Sequence, residues 1–316
     1  MIETRGLRKS FMSRQGREKK TVDAVRGVDL KVDEGEIFGF LGPNGAGKTT
    51  TLRMLATLIE PDGGEATIAG ADLRKNPGEV RRRIGYVAQG GSTWDDSTAR
   101  EELVLQARLY GISKSVATRR AARVLDGFQL SEYADRKCKT YSGGQRRRVD
   151  IALGIIHEPR VVFLDEPTSG LDPQSRAHMW DEIRRLRAEG MTVFITTHYL
   201  DEADALCDRI SIMDNGEIVA SGTPAALKRE ISGDVVLVSV ASPARAAEAL
   251  GSADFINKLE THEDSVRLYV DEGASAIPLI LRALDSASVT LGTIELHRPS
   301  LDDVFLTKTG RSLRES

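Results

Sequence analysis

The stretch "LGPNGAGKTTTL", residues 41–52, constrains this chain more than any other. Residues 42–49 fit the spacing G-x-x-x-x-G-K-[ST], which marks a phosphate-binding loop when it lies between a strand and a helix. Both neighbours are present. "EIFGFL" before the loop is a short apolar run. "KTTTLRMLATLI" after it has helical apolar spacing that stops at Pro61. Gly42, Gly45 and Gly47 let the backbone turn tightly and aim its N–H groups inward. The helix starting near Lys48 points the positive end of its dipole at the same spot. Lys48 is a point charge on a flexible stem, able to reach β- and γ-phosphates, and the Thr49 hydroxyl is a hard oxygen suited to Mg²⁺. Pro43, Asn44, Ala46 and Thr50 are the further loop residues expected to contact a nucleotide.

Two further segments carry chemistry. "RVVFLDEP" is a β-branched and aromatic run ended by Pro167, the pattern of a buried strand. Asp165 closes it, where a phosphate-loop fold holds Mg²⁺, and Glu166 follows as a candidate general base for the attacking water. In "YSGGQ", Ser142 is a good helix N-cap, and Gly143 and Gly144 leave the backbone N–H groups bare ahead of "QRRRVDIALGII". That is a second phosphate-facing surface, with no lysine and no metal ligand; simple capping is the alternative reading.

Bulk properties narrow the class. The chain has 316 residues, a prior of about two domains. Its formal net charge of −3 gives no global sign of nucleic-acid binding. Cys138 and Cys207 lie far apart without metal-ligand spacing, which favours a reducing cytosol over a disulfide framework. No signal-peptide pattern and no run of about 18 apolar residues is present, so a bilayer-spanning part is expected from a partner. The basic, polar stretch from Met12 to Lys20 reads as a solvated hairpin loop, and the "RRR" runs at 81–83 and 146–148 as solvated helix faces. Residues from about 92 to 153 read as mostly helical. "DPQSRAHMWDEIRRLRAEG" reads as a helix, "MTVFITTH" as a buried strand and "DRISIMDNGEIVASG" as a hairpin turning at Asn-Gly.

Together these motifs resemble the nucleotide-binding subunits of ABC transporters, over residues 7–222. "GPNGAGKT" matches the Walker A loop, "VVFLDE" the Walker B strand, "YSGGQ" the LSGGQ signature with Tyr141 in place of leucine, and "SGLD" the D-loop. The resemblance implies an α/β P-loop NTPase with a β-subdomain and a helical subdomain. It adds Gln89 of "YVAQ" as the Q-loop glutamine near Mg²⁺ and His198 of "ITTH" as the γ-phosphate-sensing switch histidine. Asp172 would bridge the dimer at the D-loop, and Gln145 would join Ser142, Gly143 and Gly144 at the nucleotide. Phe11 stands where the family stacks an aromatic on adenine; a core phenylalanine is the alternative. In such proteins each ATP lies between the Walker loop of one subunit and the signature of the other. Two phosphate-ready loops on one chain thus imply a head-to-tail homodimer. Lys48, Glu166 and His198 would carry catalysis, with Thr49, Gln89 and Asp165 at the metal. A separate membrane permease, on whose cytoplasmic face the chain would sit, completes the implied assembly. Ribosome- or DNA-acting ABC ATPases and P-loop kinases are rival classes. The first usually carry two cassettes or a long coiled-coil insertion, and the last have no need of "YSGGQ".

Near residues 222–233 the character changes. Beyond it, apolar segments alternate as β-α-β-β-α-β, the order of a ferredoxin-like α+β sandwich. Residues 233–316 hold 8 basic and 13 acidic side chains, a net of −5, which leaves the remainder near +2. The expected organisation is therefore a nucleotide-binding domain at 1–230 and an acidic accessory domain at 233–316. The ending "HRPSLDDVFLTKTGR" resembles the tail of drug-export ATPases of the daunorubicin-resistance type. That resemblance implies an ATP-hydrolysing subunit of a multidrug or antibiotic exporter. Docking of subunits or permease, and small-molecule sensing, both stay open as roles for the tail.

Overall fold

In the computed structural model, residues 1–15, 18–231, 233–251, 253–262 and 264–310 are described, with the side chains of 13–15 and 18–20 outside the description. They form two compact units that divide after Gly222, so the helix Pro224–Ile231 begins the second.

The first unit is built on strands that are buried on both faces. Ile37–Leu41, Val161–Asp165 and Thr192–Thr197 are buried at every position. A strand with no wet face belongs inside a parallel sheet covered on both sides. The sheet runs Glu217–Gly222, Arg209–Asp214, Ile37–Leu41, Thr192–Thr197, Val161–Asp165, Ile84–Val87 in spatial order. All neighbours are parallel except the edge pair Arg209–Asp214 and Glu217–Gly222. That hairpin turns at Asn215 and Gly216, both with positive φ, as the Asn-Gly pair predicts. Phe194 lies at the centre, its ring 5.4, 5.7 and 5.6 Å from those of Phe38, Phe40 and Phe163. Burying such a side chain contributes about 1.5–3 kcal/mol.

A second, antiparallel sheet of Glu18–Val32, Ile2–Gln15, Gly63–Ile68 and Ala71–Asp72 shares this core through Leu7, Val25, Leu30 and Ile68. Here one expectation is corrected. The stretch from Met12 to Lys20 is not a loop over its described residues. Met12 pairs with Thr21, Ser13 with Lys20 and Gln15 with Glu18, so the hairpin continues as a ribbon as far as Gln15 and Glu18. Antiparallel pairing propagates by backbone hydrogen bonds whatever the side chains, and a polar ribbon lacks the alternation that reveals a strand. Residues 16 and 17 lie outside the description. The helical part comprises Ala99–Leu109, Lys114–Gly127 and Gly143–Ile155.

The second unit is an antiparallel sheet in the spatial order Ile256–Thr261, Ser265–Val270, Asp234–Val240, Leu291–His297. With helices Pro243–Leu250 and Gly273–Ser286 this is the expected β-α-β-β-α-β sandwich, followed by Leu301–Thr309. Val236, Val238, Val266, Leu268 and Ile280 form its core, separate from the first. Among the described residues, no helix is long and apolar enough to cross a membrane.

Candidate functional site

The carboxyl ends of three adjacent parallel strands deliver the site. Ile37–Leu41 runs into the 42–49 loop, Val161–Asp165 ends on Asp165, and His198 follows Thr192–Thr197. Ligands of open α/β sheets bind outside such ends. Gly42 and Gly47 are there because nothing larger fits: a Cβ on Gly42 would lie 2.2 Å from the Met213 carbonyl oxygen, and one on Gly47 2.3 Å from that of Ala24. Gly47 also has a φ of 108° and caps the helix Lys48–Leu55 without any side-chain bond, so the first amides of this helix are not claimed by a cap.

Lys48 is 4% exposed, and its Nζ donates to the carbonyls of Gly42 at 2.7 Å and Pro43 at 2.9 Å. Burial lowers its pKa from the ordinary lysine value, against the pull of Glu166 and Asp165. Thr49 Oγ1 donates to Asp165 Oδ1 at 3.0 Å, and Thr196 Oγ1 donates to the same oxygen at 2.6 Å. Glu166 stands between three groups. Its carboxylate is 3.9 Å from Lys48 Nζ and 3.3 Å from His198 Nδ1, and it accepts from Gln89 Nε2 at 2.8 Å. The imidazole lies close to this carboxylate without hydrogen-bond geometry, since that ring nitrogen has no aligned partner. Glu166 also has a φ of 44°, a left-handed conformation that costs a non-glycine residue about 1–3 kcal/mol and persists only where the surroundings enforce it.

A hollow of about 360 Å³ opens on this group, lined by Ala24, Asn44, Gly45, Gly47, Lys48, Thr49, Thr50, Gln89 and Glu166. The donors fit a nucleotide: uncapped amides and a lysine for phosphate, and a hydroxyl and carboxylate for a hard cation. Among the described residues, no three carboxylate, imidazole or thiol groups gather as a self-sufficient metal site. Thr49 and Asp165, bonded to each other at 3.0 Å, are the residues that could hold such a cation.

The remaining sequence-derived candidates lie outside this hollow. Ser142 caps Gly143–Ile155, its Oγ accepting from Gln145 N at 3.2 Å while Gln145 Oε1 accepts from Ser142 N at 3.0 Å. Gln145 is thus engaged in a capping box, with open space beside Gly143. Asp172 caps the neighbouring helix Pro173–Ala188, accepting from Ser175 N at 2.9 Å and Ser175 Oγ at 2.6 Å. A Cβ on Gly144 would meet Ser175 Oγ at 2.9 Å, so the two helix starts lie side by side. Phe11 is 43% exposed, with Lys9 Nζ 5.7 Å from its ring centroid, which removes the core reading.

Two buried residues escaped the sequence. The run 146–148 is not a solvated face: Arg147 is 7% exposed, spans to four backbone carbonyls and has its pKa lowered by burial. The signal was its spacing, since Arg147 shares a helix face with Ile151 and Gly154. Glu202 is fully buried, accepts from Thr168 Oγ1 at 2.8 Å and Trp180 Nε1 at 3.0 Å, and has its pKa raised by burial. Beside the Gln89 segment, a second hollow of about 390 Å³ is rimmed by the exposed side chains Leu58, Trp94, Leu105, Leu109 and Tyr110.

Comparison with known proteins agrees with this geometry. The ABC transporter profile matches residues 25–169, and that of the ATP-binding protein DrrA1-3-like C-terminal domain matches residues 222–309. The chain is 43% identical to the daunorubicin/doxorubicin resistance ATP-binding protein DrrA of Streptomyces peucetius, over 98% of this chain and 92% of that one. It is 35% identical to the linearmycin resistance ATP-binding protein LnrL of Bacillus subtilis (strain 168), over 100% of both. Among solved structures it is similar to the dimeric post-hydrolysis state of the ATP-binding cassette MJ0796 bound to ADP and Pi. There the identity is 28%, over 71% of this chain and 98% of that one, with a TM-score of 0.63.

Proposed function

The chain belongs to the ABC transporter family as an ATP-binding, ATP-hydrolysing subunit, and from that premise we propose that it powers a separate membrane permease exporting an antibiotic-type molecule. The observation that carries the mechanism is the convergence of Lys48, Gln89 and His198 on Glu166 at the mouth of the loop. Lys48 releases the Gly42 and Pro43 carbonyls to meet the β- and γ-phosphates. Thr49 and Asp165 would hold Mg²⁺, which when bound would supply charge neutralisation at the phosphates. Gln89, now bonded to Glu166, would serve the metal through its amide oxygen. Glu166 takes a proton from the attacking water, and His198 beside it faces the γ-phosphate. Phe11, on its exposed strand position, offers a ring to the adenine.

The signature residues Ser142, Gly143 and Gly144 do not line the Lys48 hollow. We assign them, with Asp172, to the nucleotide of a second copy, in a head-to-tail dimer with two shared sites. Nucleotide closes this dimer and hydrolysis opens it, a population shift driven by contacts made only when closed. The subunit would then sit on the cytoplasmic face of the membrane, docking its permease on the apolar rim of Trp94, Leu105 and Leu109 next to Gln89. The domain at 233–316 would help the subunits meet or dock the permease. Deleting it separates that role from ligand sensing: lost assembly supports docking, and intact assembly with altered ligand response supports sensing. The central test is Glu166→Gln under saturating Mg·ATP. A stable dimer by light scattering is expected; a monomer under those conditions would overturn the shared-site reading.

A further inference from the structure

We infer that Arg147 is a positioning residue for hydrolysis, fixing Glu166 and the Gln89 segment to the signature helix of the same chain. The inference rests on Glu166 being the base. Arg147 sits one turn into Gly143–Ile155, with its guanidinium buried. Nη2 donates to the carbonyls of Asp165 at 2.9 Å and Glu166 at 3.3 Å. Nε donates to the Pro167 carbonyl at 2.9 Å, and Nη1 to that of Ala88, next to Gln89, at 2.6 Å. One planar fork thus joins two segments that supply reacting or sensing side chains. Lysine cannot replace it, because a single ammonium has neither the span nor the fixed directions of the guanidinium.

Three observations make this more than packing. Glu166 holds a strained left-handed backbone, and the peptide groups on both sides of it are hydrogen-bonded. Its N–H donates to Thr196 O at 3.2 Å, with Thr196 Oγ1 also 3.1 Å from that nitrogen, while its carbonyl accepts from Arg147. One turn further along the helix, Asp150 is buried and accepts from Ser92 N at 2.8 Å, Ser92 Oγ at 3.1 Å and Thr93 N at 3.2 Å. The signature helix therefore grips the Gln89 segment at both its start and its end. Finally, Ser142, which we assign to a second copy's nucleotide, begins this same helix. Any tilt of the helix on closure is transmitted to Glu166 and Gln89 of its own chain through Arg147. Each site would then sense the other.

The test compares Arg147→Lys with the native chain and with Glu166→Gln, using a fluorescent ATP analogue for affinity and phosphate release for turnover. Arg147→Lys is expected to bind nucleotide within about twofold of native, with kcat reduced on the order of tenfold to a hundredfold, since small misplacement of a reacting group costs this much. Added to Glu166→Gln, it should lower the residual rate no further, because both act on one step. Native kcat in Arg147→Lys, or a nucleotide affinity that falls in step with kcat, overturns the inference. If Arg147→Lys does not fold, Arg147→Gln carries the same comparison, and failure of both to fold assigns Arg147 a structural role only. Normal hydrolysis by Glu166→Gln would instead strike the underlying assignment of the base, which keeps the two failures apart.

Discussion

Ser142 is asked to do two things, and a pair of substitutions separates them. In the isolated chain it caps its helix through reciprocal bonds of 3.2 and 3.0 Å with Gln145. In the proposed dimer its hydroxyl meets the γ-phosphate held by the partner. Ser142→Ala removes both functions: losing an N-cap costs about 1 kcal/mol, and at this domain size that lowers the melting temperature by roughly 2–4 °C. Ser142→Asp removes only the second. Aspartate caps as well as serine and suits the positive helix end, so the melting temperature should stay near native. Against phosphate, however, its charge is repulsive. Two unit charges about 4 Å apart at an effective dielectric near 20 interact by about 4 kcal/mol. That is roughly a thousandfold in affinity at about 1.4 kcal/mol per tenfold. The assay is light scattering after gel filtration in the Glu166→Gln background, where ATP is not consumed, with thermal melting of the nucleotide-free chains alongside. Expected are an unchanged melt and no ATP-dependent dimer for Ser142→Asp. A dimer forming at the same ATP concentration as in Glu166→Gln alone would refute the shared phosphate site, and a melt lowered as far as that of Ser142→Ala would refute the capping argument.

Other perturbations test other parts of the structure. Glu202→Gln keeps the acceptors for Thr168 and Trp180 while removing a buried charge. Because burial raises the Glu202 pKa above its unfolded value, its ionised form costs stability once pH exceeds that value, and below the ordinary glutamate range the cost disappears. The variant should therefore melt higher than native at pH 8, with the advantage shrinking towards pH 4.5; an equal gain at both pH values would contradict this. Phe194→Ala empties the middle of the four-ring cluster and should cost about 3–5 kcal/mol, read by chemical denaturation. Leu109→Glu, at a side chain 73% exposed, should leave melting and basal ATPase unchanged but abolish co-purification with the permease. Retained co-purification would remove that face as the docking surface.

Much of this architecture was legible because short-range physics dictates it. A strand with no polar face, a Gly-rich turn and a helix start are local statements, and the 42–49 loop obeys them. Asp165 and His198 were readable as residues leaving apolar runs, and Asn215-Gly216 as a turn. What stayed hidden depends on long-range pairing. The paired segments 12–15 and 18–20 have no apolar alternation, so only their pairing reveals them. The strand Gly63–Ile68 went unnoticed because its sequence holds only two apolar side chains, Ala66 and Ile68, with Thr67 between them and Gly63, Gly64 and Glu65 before. Arg147 misled because three consecutive arginines look like a wet helix face, although the face is decided by spacing rather than by charge.

The two helix starts that first suggested phosphate are now distinguishable by what occupies their amides. Lys48–Leu55 begins uncapped at Gly47, behind a hollow large enough for a triphosphate, with a lysine folded onto nearby carbonyls. Gly143–Ile155 begins with a completed capping box and open space at Gly143, outside that hollow. An uncapped start carries unsatisfied donors and gains most from an anion; a capped start gains less alone and needs the anion brought to it already held. In the proposed dimer this sets an order: nucleotide loads first on the Lys48 loop of each chain, and only the loaded loop can draw in the partner's Ser142. Closure without nucleotide would leave two capped helix ends facing two folded lysines, with nothing between them to bind.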